Sequence, residues 1–175
     1  YGQSEYLFGT EPNDFLKAIA PQLYIGDLLC LADGEGRNGV HLAGLGHQVT
    51  SVDASSVGLG KAVRLAECRQ VKLNTVLADL KEWALGREHW DTIVSIFFHM
   101  PPDFRHGMHR RMAEALKPGG ALVLEAYTPK QLEFKTGGPP VAEMLMTKAL
   151  LEHDFPDLEF VHTYLLPLQC IDVAP

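Results

Sequence analysis

The segment Asp33-Gly34-Glu35-Gly36-Arg37-Asn38-Gly39 follows directly on the apolar run Leu28-Leu29-Cys30-Leu31-Ala32, and a helical pattern begins at once behind it. Gly34 and Gly36 allow a sharp turn and a close approach of backbone to a ligand. The start of the next helix offers unpaired N–H groups and a positive dipole end to a carboxylate or phosphate. Gly39 completes a formal G-x-G-x-x-G, and 19 residues beyond Gly34 a second β-rich run, Val49-Thr50-Ser51-Val52, closes on Asp53. A carboxylate at that place accepts both hydroxyls of a ribose. Order and spacing together favour an adenosine-containing cofactor over a bare tight turn with Asp53 as a helix cap. Two cofactor classes stay open on the residues alone, nicotinamide dinucleotides and S-adenosylmethionine.

The elements that must position these residues alternate. Candidate strands are Asp27–Leu31, Gln48–Asp53, Asn74–Ala78, Thr92–Ile96, Ala121–Ala126 and Leu158–Leu166, each short and rich in Leu, Val, Ile or Thr. Helical periodicity occupies Pro12–Ala20, Asn38–Leu45, Ser56–Cys68, Phe104–Leu116 and Val141–His153, with Ser56 as N-cap and Gly46 just past a C-terminus. Such alternation predicts an α/β fold, a doubly wound and mostly parallel sheet. The pattern predicts a single domain over 1–175: an N-terminal flap and helix at 1–25, a sheet core at 26–166, and an irregular or truncated tail at 167–175. The 14-residue connection Tyr127–Pro140 is long for a βα loop and reads as a binding loop or lid.

The 175 residues carry 15 Lys+Arg against 22 Asp+Glu, a formal charge of −7, with 46% apolar residues. That balance suits a small-molecule partner and argues against a nucleic-acid clamp, which needs a basic face. The cluster Arg105, Arg110, Arg111 and Lys117 reads as a solvated helix face. No apolar run of about 18 residues is available to cross a bilayer, and three scattered cysteines, Cys30, Cys68 and Cys170, suit reduced thiols. A cytoplasmic location without membrane contact is expected. His106 and His109 have no third ligand near them in sequence, so no metal site is expected.

Four segments resemble the class I S-adenosylmethionine-dependent methyltransferases: Cys-Leu-Ala-Asp-Gly-Glu-Gly-Arg-Asn at 30–38, Val-Asp-Ala-Ser at 52–55, Ala-Asp-Leu at 78–80 and Leu-Lys-Pro-Gly-Gly at 116–120. Within that superfamily the Gly-Glu-Gly-Arg-Asn loop is similar to the tellurite-resistance and thiopurine methyltransferase-like branch. The resemblance implies S-adenosylmethionine as cofactor and a small, soft or anionic methyl acceptor. It implies that Gly34, Glu35, Gly36 and Arg37 hold the methionine part, that Asp53 and Ala54 hold the ribose, and that Asp79 and Leu80 contact adenine. Ile96 and Phe97 are expected to complete the cofactor site.

In a sheet of this kind the pocket lies beyond the strand C-termini, which brings His99 and Tyr127 to the acceptor. His99 is the candidate general base or orienting group, and Tyr6 and Phe8 are the candidate lid. Two departures stand out. Relatives often carry an acid at the position of Cys30 and glycine at that of Ala32, whereas here Asp33 lies inside the loop. Relatives also usually finish with an antiparallel hairpin, whose last strand is expected here to be missing or irregular. The alternatives are an NAD(P)-dependent oxidoreductase, from the glycine pattern, and a non-catalytic cofactor-binding module, from the missing hairpin.

Overall fold

Strands β1 (Asp27–Leu31), β2 (Gln48–Asp53), β3 (Asn74–Leu77), β4 (Trp90–Ile96) and β5 (Leu116–Tyr127) pair in parallel in the spatial order β3-β2-β1-β4-β5. The computed structural model describes residues 5–134, 137–165 and 170–174. Central β1 reads Asp-Leu-Leu-Cys-Leu and is buried on both faces from Leu28 on, which is why its sequence is an unbroken apolar run rather than an alternation. Leu28 and Cys30 join Val94 and Val123 in a layer under α1 (Asp14–Ile19) and α2 (Arg37–Gly44). Leu29 and Leu31 face the other way, with Ile93 and Leu124, toward α4 (Pro102–Ala115) and α6 (Lys148–Asp154). α3 (Ser56–Cys68) follows β2, and its N-cap Ser55 accepts a hydrogen bond from the Gly58 N–H. A single turn, α5 (Gln131–Phe134), follows β5.

Chain order reverses between β1 and β4: β1 is followed by β2 on one side, while β4 lies on the other. The crevice above their C-terminal ends is where such sheets take ligands.

Two expectations are corrected. Val141–His153 is not one helix but a 3-10 turn, Ala142–Met144, followed by α6. The Met146 N–H donates to the Tyr127 carbonyl at 2.9 Å and Leu145 and Met146 bury their side chains, so the chain is extended there before Thr147 caps α6. The last strand is also present. β6 (His162–Leu165) and β7 (Cys170–Ala174) form an antiparallel hairpin, and β7 inserts between β5 and β6, with Leu124 opposite Val173 and Tyr127 opposite Cys170. Residues 166–169 lie outside the described residues. A five-residue strand held by main-chain bonds leaves little side-chain pattern.

Candidate donor and acceptor cavity

β1 hands over to the loop through backbone in the left-handed region: φ is +50° at Ala32, +59° at Gly34 and +83° at Gly36. Phe97, the residue after β4, also has φ at +55°. Both turns stand at the C-terminal ends of the central strands, where the loop and Phe97 line one cavity.

Asp33 lines the cavity, but its carboxylate is tied to the loop itself. Its carboxylate accepts the Ser51 hydroxyl at 2.6 Å and the Gly39 N–H at 3.2 Å, which braces the loop against β2 and the start of α2. Gly39 is required by that approach, since a Cβ there would lie 2.5 Å from Asp33 Oδ2. With Cys30 a core side chain, the carboxylate that braces the loop is that of Asp33. Burial pushes the Asp33 carboxyl up to about 7, against the lowering effect of the Ser51 and Gly39 bonds.

A group with a raised folded pKa contributes stability that is fully present below its unfolded pKa and lost as pH rises through the folded value. Asp33 therefore favours the folded chain below about pH 4 and stops doing so by about pH 7. His109, pushed down to about 4 by burial, has the opposite slope between pH 4 and its ordinary value of 6.5. Asp33→Asn is expected to remove only the first trend. The difference in urea midpoint between variant and parent shifts in favour of the variant from pH 5 to pH 8, and a pH-independent difference contradicts the assignment.

Asp53, 8% exposed, accepts from the Gly34 N–H through Oδ2 and from the Ser55 N–H through Oδ1, each at 2.8 Å. Its carboxylate therefore stands beside the glycine loop with lone pairs to spare. Ala54 is exposed next to it.

Glu35 is committed elsewhere than the methionine loop suggested. Oε1 takes the Lys61 ammonium at 2.5 Å and Oε2 the Leu7 N–H at 2.7 Å. Lys61, 2% exposed, also donates to the Glu5 carbonyl at 2.6 Å, and the Tyr6 hydroxyl donates to the Lys61 carbonyl at 3.0 Å. Burial pushes Glu35 up, but Lys61 and the Leu7 N–H outweigh it and hold the carboxyl below its usual range. The N-terminal segment is thus buckled to α3 and to the loop. Lys61→Met leaves Glu35 with the Leu7 N–H and free to take up a proton, so a moderate loss of about 1–2 kcal/mol is expected. Limited proteolysis around residues 5–9 should quicken markedly, and unchanged cleavage would show that the buckle does not hold the segment.

The two halves of the expected lid part company. Tyr6 docks on α3, whereas Phe8, 63% exposed, lines the cavity with the Arg37 guanidinium 5.7 Å from its ring centre. Arg37 also donates to the Phe8 carbonyl at 3.3 Å.

That cavity has a volume of about 610 Å³ and brings together Gly34, Glu35, Arg37, Ile96, Phe97, His99 and Tyr127, with Gly137 and Gly138 from the long loop after β5. Phe97 and Tyr127 stack with ring centres 4.7 Å apart, and His99 lies nearly parallel to Tyr127 at 5.6 Å. Both nitrogens of His99 are engaged by main chain: Nδ1 meets the Phe97 carbonyl at 3.0 Å and Nε2 accepts the Tyr127 N–H at 3.0 Å. Burial lowers its pKa, partly offset by the Phe97 carbonyl, so the ring is held neutral with its proton on Nδ1.

Gly36, Asp53 and Ala54 are not among the cavity's lining residues, and neither are Asp79 and Leu80. Exposed Asp79 accepts the Lys81 N–H at 2.9 Å and its carbonyl the Trp83 N–H at 2.9 Å, closing a turn. Leu80 is a core side chain.

One group escaped sequence reasoning. Asn13 donates from Nδ2 to Glu125 at 2.5 Å and from its backbone to Asn38 at 2.9 Å, tying α1 and α2 to β5 below the cavity. An acid within the apolar run of β5 was its only signal. The basic residues of α4 are not the solvated face expected of them: Arg105 is buried and pairs with Asp154, Arg111 donates to the carbonyls of Leu80 and Trp83, and exposed Arg110 lies beside Glu114 at 3.6 Å. Among the described residues no helix is long and apolar enough to cross a membrane.

Comparison with known proteins places this geometry. Residues 28–120 match the family model described as a methyltransferase domain. No curated protein matches the chain. Solved structures share the fold. TehB from Haemophilus influenzae superposes with a TM-score of 0.78 at 20% identity, over 96% of this chain and 63% of that one. An S-adenosylmethionine-dependent methyltransferase from Clostridium acetobutylicum gives 0.75 at 14% identity, over 91% and 87%. Magnesium protoporphyrin IX methyltransferase from Synechocystis, solved with bound SAH, gives 0.74 at 16% identity, over 91% and 80%. With more than half its length matched and the loop, acid and crevice in their places, the chain belongs to the S-adenosylmethionine-dependent methyltransferase domain family.

Proposed function

We propose that the protein transfers the methyl group of S-adenosylmethionine to a small, soft or anionic acceptor of the kind handled by tellurite-resistance and thiopurine methyltransferase-like enzymes. One observation carries this reading. Among the described residues of the cavity wall, the imidazole of His99 and the carboxylates of Asp33 and Glu35 are all committed to internal partners. None is poised to take a proton from an alcohol or amine. An acceptor that already carries an exposed lone pair, such as a thiolate or a reduced chalcogen anion, needs no base. Arg37 is the cation at the cavity mouth to attract it.

The bound donor supplies an electrophilic methyl on a sulfonium. The chain's own work is then placement. The glycine loop and Asp53 hold the donor, Phe97 and Tyr127 bound the path of approach, and Phe8 with Gly137 and Gly138 exclude water from a displacement whose rate rests on geometry. In this reading His99 is a positioning residue that keeps Phe97 and Tyr127 at their spacing. Asp79 and Leu80 belong to the adenine end only once the donor is in place. The free thiols of buried Cys30 and exposed Cys68 accord with a reducing cytoplasmic setting. A non-catalytic role loses its motive, because the hairpin whose absence suggested it is present.

The test is transfer from labelled donor to a panel of thiols, selenite and tellurite beside matched alcohols and amines. Methylation of the soft acceptors, at a rate that follows the fraction of ionised acceptor, is expected. Transfer confined to alcohols or amines would overturn the acceptor class, and tight NADH binding without S-adenosylmethionine binding would overturn the donor.

A further inference from the structure

Away from the donor cavity, packing of α6 on α4 assembles a group whose members lie up to 49 residues apart in sequence. Asp154 ends α6 and is 5% exposed. Its Oδ2 is held by Arg105 Nε at 3.1 Å and by buried His109 Nδ1 at 2.8 Å, which fixes the plane of the carboxylate. Oδ1 lies 3.0 Å from Nδ1 of His106, and Asp154 lines one surface cavity with His106 and His153. The side chain of His106 is 61% exposed, and its ring centre lies 6.0 Å from that of exposed His153. One donor atom from each of His106, His153 and Asp154 falls within 4.8 Å of the others.

We propose that His106, His153 and Asp154 bind a divalent transition-metal ion of the zinc class and so clamp the end of α6 to α4. Two imidazoles and one carboxylate form a nitrogen-rich set that suits Zn²⁺, Ni²⁺ or Cu²⁺ and not the all-oxygen shells of Mg²⁺ and Ca²⁺. Bonds of about 2.0–2.2 Å to such an ion separate neighbouring ligand atoms by about 3.0–3.5 Å. The pair of His106 Nδ1 and Asp154 Oδ1 already stands at that separation. His153 closes the remaining gap by rotating an exposed ring, at little cost in packing. The anchorage of Oδ2 by Arg105 and His109 supplies the outer support that holds a ligating carboxylate in one orientation. Three protein ligands leave a further position for water.

Calorimetric titration of the full chain, free of any polyhistidine tag and stripped with chelator, uses Zn²⁺ itself as the probe near neutral pH. One ion per chain is expected, with a melting temperature that rises with Zn²⁺ and falls back on adding chelator. His106→Ala and His153→Ala each lower the affinity by about tenfold or more and abolish the melting shift. His89→Ala, at an exposed histidine outside the cluster, changes neither. Both ligand positions are exposed, so their variants keep the parent's fold, and S-adenosylmethionine affinity serves as the check. Absence of saturable one-to-one binding, or binding that both variants retain, overturns the site.

Discussion

Gly36→Ala is expected to remove S-adenosylmethionine binding and to destabilise the chain more than any other single methyl added to the loop. Two costs act together. The backbone at Gly36 has φ of +83°, a conformation that costs a side chain-bearing residue about 1–2 kcal/mol. A Cβ built there also lies 2.4 Å from the Cβ and 2.8 Å from the Cα of Ala62, so relief requires α3 as a whole to move and not a side chain to rotate. Overpacking of that kind costs about 1–3 kcal/mol more. The sum is about 2–5 kcal/mol, a large share of the stability of a domain this size. Urea unfolding reads the stability and calorimetry the donor affinity. A variant within about 0.5 kcal/mol of the parent, binding donor normally, would show that the loop and α3 are not in the contact described.

Asp53→Ala has the second large effect, and it separates two roles. In the free protein its oxygens satisfy the Gly34 and Ser55 N–H groups at 2.8 Å. Removal leaves both donors buried or half-buried without an acceptor, at about 1–3 kcal/mol each where water cannot replace it. The proposed ribose role adds to this. Two hydroxyl bonds to a charged acceptor are worth about 1.5–3 kcal/mol apiece, so donor affinity is expected to fall by roughly a hundredfold or more. Asp53→Asn keeps one acceptor oxygen and most of the loop support. If it retains stability but loses affinity, the carboxylate acts on the ribose. If stability drops while affinity per folded molecule is unchanged, Asp53 is a loop brace only and the ribose assignment fails.

Much of the fold was legible because it rests on local rules. The parallel strands announce themselves as β-branched and leucine-rich runs, and the loop as glycines placed where a strand must turn into a helix. Ser56–Cys68 was readable as a helix in spite of Gly58 and Gly60, and the structure gives it the same bounds. What failed was not local. Val141–His153 carries helical spacing throughout, yet the bond from Met146 N–H to the Tyr127 carbonyl interrupts it. β7 exists because β5 presents an unpaired edge to it, and five residues of sequence do not advertise a partner.

The candidate site divides along the same line. Position was predictable: Gly34, Arg37, Phe97, His99 and Tyr127 do meet in one crevice, because strand order alone puts their ends together. Partnership was not. Glu35 reads as a ligand-loop acid and is held by Lys61 and Leu7, and His99 reads as a base while both its nitrogens are taken by main chain. Asp33 reads as a displaced motif residue and proves to be the brace of the loop.

The sequence by itself determined the strand, the glycine turn, the helix start and the acid that closes β2, because these rest on backbone geometry that a few residue types impose at fixed spacing. Tertiary structure alone decided which polar side chains remain available to a second substrate, and whether His106 finds His153 and Asp154. A side chain's chemistry depends on which hydrogen bonds it has already made, and packing between distant segments chooses those.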